Sequence, residues 1–317
     1  MRAMVTPKFG SPDLFEMREM DRPVPEPGEV LVRVIASGTN PVEAKIRSSA
    51  YGSGVQPPVV LGYDVSGVVE ETGEGVTEFE AGDEVYYTPE IDLKRTGSYA
   101  EYNTVPAAIV TRKPTNLSHV EAAAVPLAGG TAYEAIVRRL GLKIGETVLI
   151  HGGAGGVGSF AVQLAKACGA RVLATAGGDN QETLVSLGAD SAIDYRVEDP
   201  FERALEETAG EGVDAVFDTV GGDTVQKSLK VTRPFGRLAG ILGAQGDLTL
   251  AYRRNQTYYG VMLTRERQRL DSLKAIVEQG RLRPLVHWVL PLQKVAEAHR
   301  RLDTGHGRGK IVLNVAG

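Results

Sequence analysis

The stretch that most constrains this chain is ETVLIHGGAGGVGSFAVQLAKACGAR, in which an apolar strand-like run meets Gly153-x-Gly155-x-x-Gly158 and then apolar residues at helical spacing, Phe160, Leu164 and Ala165. Glycines so spaced between a strand and a helix suit a dinucleotide: one permits a tight turn, one lets backbone approach a pyrophosphate, and one lets helix pack on strand. Gly156, Val157 and Gly158 would open the helix, where amides and the helix dipole favour a diphosphate. The plain alternative is a tight strand-to-helix connection that binds nothing.

The surroundings favour the dinucleotide. Strand-like runs at 146–151, 171–175, 191–194, 213–218 and 236–241 alternate with helix-length segments, and such alternation implies parallel strands joined by helical crossovers. The middle of the chain therefore reads as a doubly wound α/β sheet. Residues 1 to about 120 read differently, as an irregular, mostly β domain, because runs such as EVLVRVIAS and VSGVVEETG are separated by RPVPEPGE and GSGVQPP. Beyond about 260 come a helix, RERQRLDSLKAIVEQG, a strand, LVHWVLP, a second helix, QKVAEAHRRLDTG, and a closing strand, GKIVLNV.

Length and composition set outer bounds. At 317 residues two domains are expected. A net charge of -5 advertises neither nucleic acid nor an anionic membrane as a partner. No apolar run approaches the roughly 20 residues that span a bilayer, and MRAMVTPKFG lacks a signal-peptide core, so a cytoplasmic protein is expected. The single cysteine, Cys168, excludes an internal disulfide and a multi-cysteine metal knot, and reads as an inert thiol.

Cofactor choice turns on the end of the second strand, where an acid would bind the ribose of NAD. Ala176, Gly177 and Gly178 stand there, so no carboxylate repels a 2'-phosphate and NADP(H) is the expected cofactor. Asp179, with Glu182 three residues on, reads as a capping box opening the next helix. Arg196, Arg308 and the phenol of Tyr195 are the candidates for holding the phosphate.

Taken together, SGTNPVEAKIR, LGYDVSGVVEETGEGVTEFEAGDEVY, GSYAEY, AAAVPLAGGTAYEAI, the glycine turn, LGADSAIDYR, DAVFDTVGGD and GRGKIVL resemble the medium-chain dehydrogenase/reductase superfamily, in its zinc-free quinone oxidoreductase (zeta-crystallin-like) branch, over essentially the whole chain. The resemblance implies a GroES-like β-barrel catalytic domain formed by 1–121 and 260–317 and a Rossmann doubly wound parallel-sheet domain at 122–259. It also implies a homodimer, by analogy with the superfamily. Where the zinc branch has its Cys, His and Cys ligands, this chain has Asn40, Tyr63 and Leu127. Its histidines show no paired ligand spacing, so no metal is expected.

Without a Lewis acid, alcohol oxidation is disfavoured, whereas a quinone or enone spreads the charge of an added hydride through its own conjugation. The implied reaction is NADPH-dependent reduction of a quinone or similar conjugated carbonyl. The alternatives are an enoyl or alkenal C=C reductase and, in another class, a non-catalytic nucleotide-binding protein. By resemblance Asn40 would donate to the acceptor oxygen, braced by Glu43; Tyr63 would line the pocket or donate; and Thr131 would contact the carboxamide. Further cofactor contacts are expected at strand ends from Thr219, Val220, Ile241, Leu242, Gly243, Met262 and Leu263. Asp64 reads equally as a hydrogen-bonded turn residue, and His151 as a structural histidine.

Overall fold

The computed structural model describes residues 1–92 and 95–316. They divide into two compact units, the first made of Met1–Ala128, Thr264–Gly280 and Pro284–Gly317, the second of Gly129–Leu263 and Arg281–Arg283. The division at Ala128 and Leu263 lies a little beyond the expected 121 and 259. The short return at 281–283 has a local cause: the Gln163 side chain donates to the Arg283 carbonyl at 3.0 Å and accepts from its amide at 3.0 Å.

The first unit is built on strands. A small sheet joins β1 (Arg2–Thr6), β2 (Glu16–Glu19) and β4 (Val59–Val60). A larger one centres on the long β3 (Glu29–Gly38), with β5 (Val65–Thr72), β6 (Glu84–Tyr87), β7 (Tyr102–Pro106) and β8 (Thr111–Arg112). The nearly unbroken burial of β3 follows from neighbours on both edges: β5 lies on one, while the other takes β7 along its first half and the C-terminal strand at its end.

The second unit is a six-stranded parallel sheet of β9 (Thr147–His151), β10 (Arg171–Ala176), β11 (Ser191–Asp194), β12 (Val213–Asp218), β13 (Thr232–Gly240) and β14 (Thr257–Gly260), in the order β11-β10-β9-β12-β13-β14. β9 and β12 occupy the middle and are buried nearly throughout, as a sheet covered by helices requires. Leu149, Leu173, Val216, Leu229 and Leu238 form its core. The expected strands are all present. β13 begins earlier than expected because Val213 pairs with Thr232 before a shift in register.

The chain then returns to the first unit with β15 (Val286–Pro291) and β16 (Lys310–Asn314), separated by helix Val295–Asp303. β16 runs antiparallel to the end of β3, with Val312 opposite Gly38. That register puts Lys310 beside the Thr39–Asn40 turn.

Candidate active site

The sheet order reverses between β9 and β12, and in such sheets ligands bind outside the carboxyl ends of the strands at this switch point. The glycine turn follows β9. Its left-handed residue is Gly152, with φ of 73°, one position before the motif's first glycine. Gly153 is instead a packing residue, since a Cβ there would lie 2.9 Å from Leu184 and 3.0 Å from Ala174. A Cβ on Gly158 would fall 2.1 Å from the Gly152 carbonyl, so only glycine lets helix Gly156–Ala167 sit this close to the strand end.

Gly155 caps that helix with extended backbone and no side chain accepts from its first turn. The amides of Gly156, Val157 and Gly158 therefore present a cradle suited to a diphosphate, and the residues present fit a dinucleotide. Thr219 donates to the His151 carbonyl at 2.7 Å, and Asp218 accepts from the Val220 and Gly221 amides at 2.9 and 3.1 Å, which shapes the turn after β12. Ile241, Leu242 and Gly243 follow β13, with Leu242 packed against Gly221. Met262 and Leu263 follow β14, Met262 being largely exposed. Thr131 is buried on helix Pro126–Tyr133.

At the end of β10, Ala176 and Gly177 are buried and bare of side-chain bulk. The Arg196 guanidinium lies over Gly177, its Cζ 2.9 Å from where a Cβ would stand. Asp194, at the end of the neighbouring β11, brings a carboxylate close to Gly178. Reading β10 alone had given no acid at this point; pairing of β10 with β11 supplies one. Asp179 does not cap a helix. It lies in a single 3-10 turn, and helix Gln181–Ser186 starts from Asn180 with no side-chain cap bond. Tyr195 is exposed beside Arg196, whereas Arg308 belongs to the first unit, where it donates to His287 Nδ1 at 3.1 Å.

His151 is buried, its Nε2 3.2 Å from Ser228 Oγ. Because Ser228 donates its proton to the Thr224 carbonyl, the histidine is the donor, and burial holds its pKa down at about 4. The neutral, structural reading therefore fits. Cys168 ends helix Gly156–Ala167 half-buried, its thiol pushed up by burial.

In the first unit, Asn40, Glu43, Asp64, Tyr99, His299 and Lys310 form one buried network. Glu43 accepts from the Asn40 amide at 2.7 Å, the Asn40 side chain at 3.1 Å, the Tyr63 amide at 2.8 Å and the Tyr99 hydroxyl at 2.7 Å. Burial lifts its carboxyl to about 7 against the pull of those donors and of Lys310. Lys310 Nζ donates to the Thr39 carbonyl at 2.8 Å, to Asp64 at 3.0 Å and to Asn40 Oδ1. Asp64 also accepts from the Asn40 side chain at 2.9 Å and from the Leu127 amide at 2.7 Å.

Both N–H groups of the Asn40 amide are thus taken by Glu43 and Asp64, and its oxygen by Lys310. In this arrangement it has no donor left for an acceptor oxygen, contrary to the role expected of it. The cause is the buried charge around it, which must be hydrogen-bonded. The Tyr63 ring is buried, and its hydroxyl has no partner among the described residues.

Residues 26–115 match the alcohol dehydrogenase GroES-like domain, and residues 187–313 match the zinc-binding dehydrogenase family. A quinone oxidoreductase from Lama guanicoe is 34% identical over 325 residues, covering 99% of this chain and 97% of the relative. The chain belongs to the medium-chain dehydrogenase/reductase superfamily, in its zinc-free quinone oxidoreductase branch. An NADPH-dependent alkenal/one oxidoreductase from Arabidopsis thaliana is 35% identical, covering 99% of this chain and 79% of the relative. The solved quinone oxidoreductase of Coxiella burnetii superposes with a TM-score of 0.89 at 31% identity, covering 99% of each chain.

As a medium-chain dehydrogenase/reductase the chain is an oxidoreductase, and the three positions read against the zinc branch acquire a common meaning. The Asn40 side chain and the Leu127 amide both donate to the carboxylate of Asp64, the residue after Tyr63, and the cation that Asn40 and Asp64 meet is the Lys310 ammonium. Among the described residues no group of three or more His, Cys, Asp or Glu could hold a metal ion. Sequence reasoning missed Lys310. Its one signal was a lysine opening an otherwise apolar strand, KIVLN, where a charge needs a buried partner.

Proposed function

We propose that this oxidoreductase uses NADPH to reduce a conjugated carbonyl acceptor, a quinone in the first instance. The observation that carries the reading is the cradle of bare amides at Gly156–Gly158 with the Arg196 guanidinium over Gly177 at the next strand end. A dinucleotide diphosphate on the cradle would leave its adenosine ribose toward the end of β10, where doubly wound sheets read the 2' position. Arg196 has no ion-pair partner among the described residues, so its charge is available to a 2'-phosphate; Tyr195 beside it could add a hydroxyl. Asp194 opposes this, and the balance between the two decides NADPH over NADH.

When bound, reduced nicotinamide supplies hydride. The residues of this chain bind and orient: Thr219, Val220 and Ile241–Gly243 shape the strand ends, Thr131 is proposed to contact the carboxamide, and Tyr63 to meet the acceptor. Orientation suffices for an acceptor that spreads the incoming charge by conjugation. The acceptor class is supported by the quinone oxidoreductase and alkenal/one oxidoreductase names of the relatives. The free edge of β14 is where a second copy would add to form the expected homodimer. No helix among the described residues is long and apolar enough to cross a membrane.

Two measurements test the reading. Calorimetric titration should give tighter binding for NADPH than for NADH; the reverse order would withdraw the 2'-phosphate assignment. Turnover with NADPH should be faster on benzoquinones and naphthoquinones than on 2-alkenals. Faster alkenals would make the C=C reductase the better description, and tight NADPH binding with no acceptor reduced would favour a nucleotide-binding protein.

A further inference from the structure

With Asn40 engaged, the described residues around Tyr63 still offer one set of unpaired donors. The Arg265 guanidinium lies over the Tyr63 ring, 5.5 Å from its centroid, and Arg265 Nε donates to the Pro89 carbonyl at 2.8 Å. One hydrogen bond and one ring face therefore fix the fork, while its terminal nitrogens have no acceptor among the described residues. The nearest acid in sequence, Glu266, pairs with Arg269 at 3.1 Å. On the other side, Tyr63 is held by its amide on Glu43 and by burial of its ring, with 8% of its surface exposed and its hydroxyl unpartnered. Burial pushes the phenol above its usual range and Arg265 draws it back, so it stays a proton donor. A phenol O–H and a cationic fork, both anchored and neither neutralised, are complementary to an oxygen that gains negative charge.

We propose that Tyr63 and Arg265 together receive the carbonyl oxygen of the acceptor, the oxygen on which negative charge develops during reduction. This rests on the reading of the chain as a reductase of conjugated carbonyls and names the residues that select them. As the acceptor takes up hydride, broken from a C–H bond of the reduced nicotinamide, its π pair moves onto that oxygen. The Tyr63 hydroxyl and the Arg265 N–H groups hydrogen-bond the charge, and one proton from solvent then neutralises it. Oxidised nicotinamide and the reduced acceptor remain. Acceptors whose oxygen becomes an enolate or phenolate-like anion fit this pair, and acceptors that develop no such charge gain nothing from it.

The test uses the full chain saturated with NADP⁺ and para-nitrophenol, whose ionised form has a visible absorbance and imitates the charged oxygen. Wild type should bind the phenolate and lower the apparent pKa of the bound phenol. Tyr63→Phe and Arg265→Met should each weaken phenolate binding about tenfold, and each should lower kcat for benzoquinone about tenfold or more with little change in the KM for NADPH. Arg265→Lys, which keeps the charge without the fork, should recover part of both losses. If wild type binds no phenolate, or if both variants stay within twofold of it in both readouts, the proposal is overturned. If wild type reduces no quinone or enone, the proposed function fails, and loss or retention of phenolate binding in the variants then decides the pair by itself.

Discussion

The two units treat buried polarity in opposite ways. In the first, Arg47, Lys113, Arg269 and Lys310 are all buried, and each is met by carboxylates or carbonyls of its own unit. In the second, no lysine or arginine is buried among the described residues, and the informative polar groups are backbone amides that no side chain covers. A buried ion left alone is costly, so the first unit must close its network on itself. A helix start at the surface can stay open because water satisfies it until a ligand does. Damage to the buried charge network of the first unit should therefore appear as lost stability, and damage to the open helix start of the second as lost binding.

Lys310→Met is the largest expected break. It leaves Asp64 and Asn40 without their cation and should cost about 3–5 kcal/mol in urea unfolding. Adding Asp64→Asn should cost clearly less than the two single losses summed, because the charge that needed Lys310 is gone. Strictly additive losses would mean that the network does not act as a unit.

Acid comes next. His151 and His299 are both buried and neutral, held at about 4 and about 3 by burial. Their folded values lie below the ordinary 6.5, so the unfolded chain binds more protons, and stability is lost as pH falls below 6.5; at pH 5 each accounts for about 2 kcal/mol. Glu43 has the opposite sign, since a value raised from 4.5 to about 7 makes the folded state the better proton binder between those limits. It should about cancel the His299 loss within the first unit between pH 7 and pH 5, leaving the second unit the more acid-sensitive. Hydrogen exchange of β9 and β3 amides at pH 7 and pH 5 measures this, and greater loss of protection in β3 would contradict it.

Gly155→Ala should then separate binding from folding. The Gly155 backbone, with φ of -74°, accepts a side chain, and the new Cβ would stand 3.3 Å from the Gly152 carbonyl. Stability should change by less than about 1 kcal/mol, while NADPH affinity should fall about tenfold or more, because the methyl group occupies the approach of the diphosphate. The smallest effect is that of Arg196→Met. A weakening of NADPH by about tenfold with NADH unchanged is expected for an exposed cation meeting a phosphate. Equal weakening of both nucleotides would place the guanidinium elsewhere in the site.

The sheet was legible in the sequence because its strands are buried on both faces. Predominantly apolar runs such as TVLIH and VDAVFD, punctuated by glycines, have few other ways to fold. The dinucleotide turn was legible for the same reason, since its requirements are local: a strand, a close approach and a helix start within a dozen residues. Even so, the left-handed position fell on Gly152 rather than Gly153, because φ depends on where the strand releases the chain.

What the sequence by itself determined about this protein is therefore the order of its elements and the place of its nucleotide turn. Tertiary structure alone decided what the charged residues do. Lys310 reaches Asn40 across 270 positions and Asp64 across 246, and Asp194 comes close to Gly178 only because β11 lies beside β10. Local spacing encodes hydrogen bonds made within a turn or a helix. An ionic contact between distant strands depends on sheet register, which is set by packing of the whole unit.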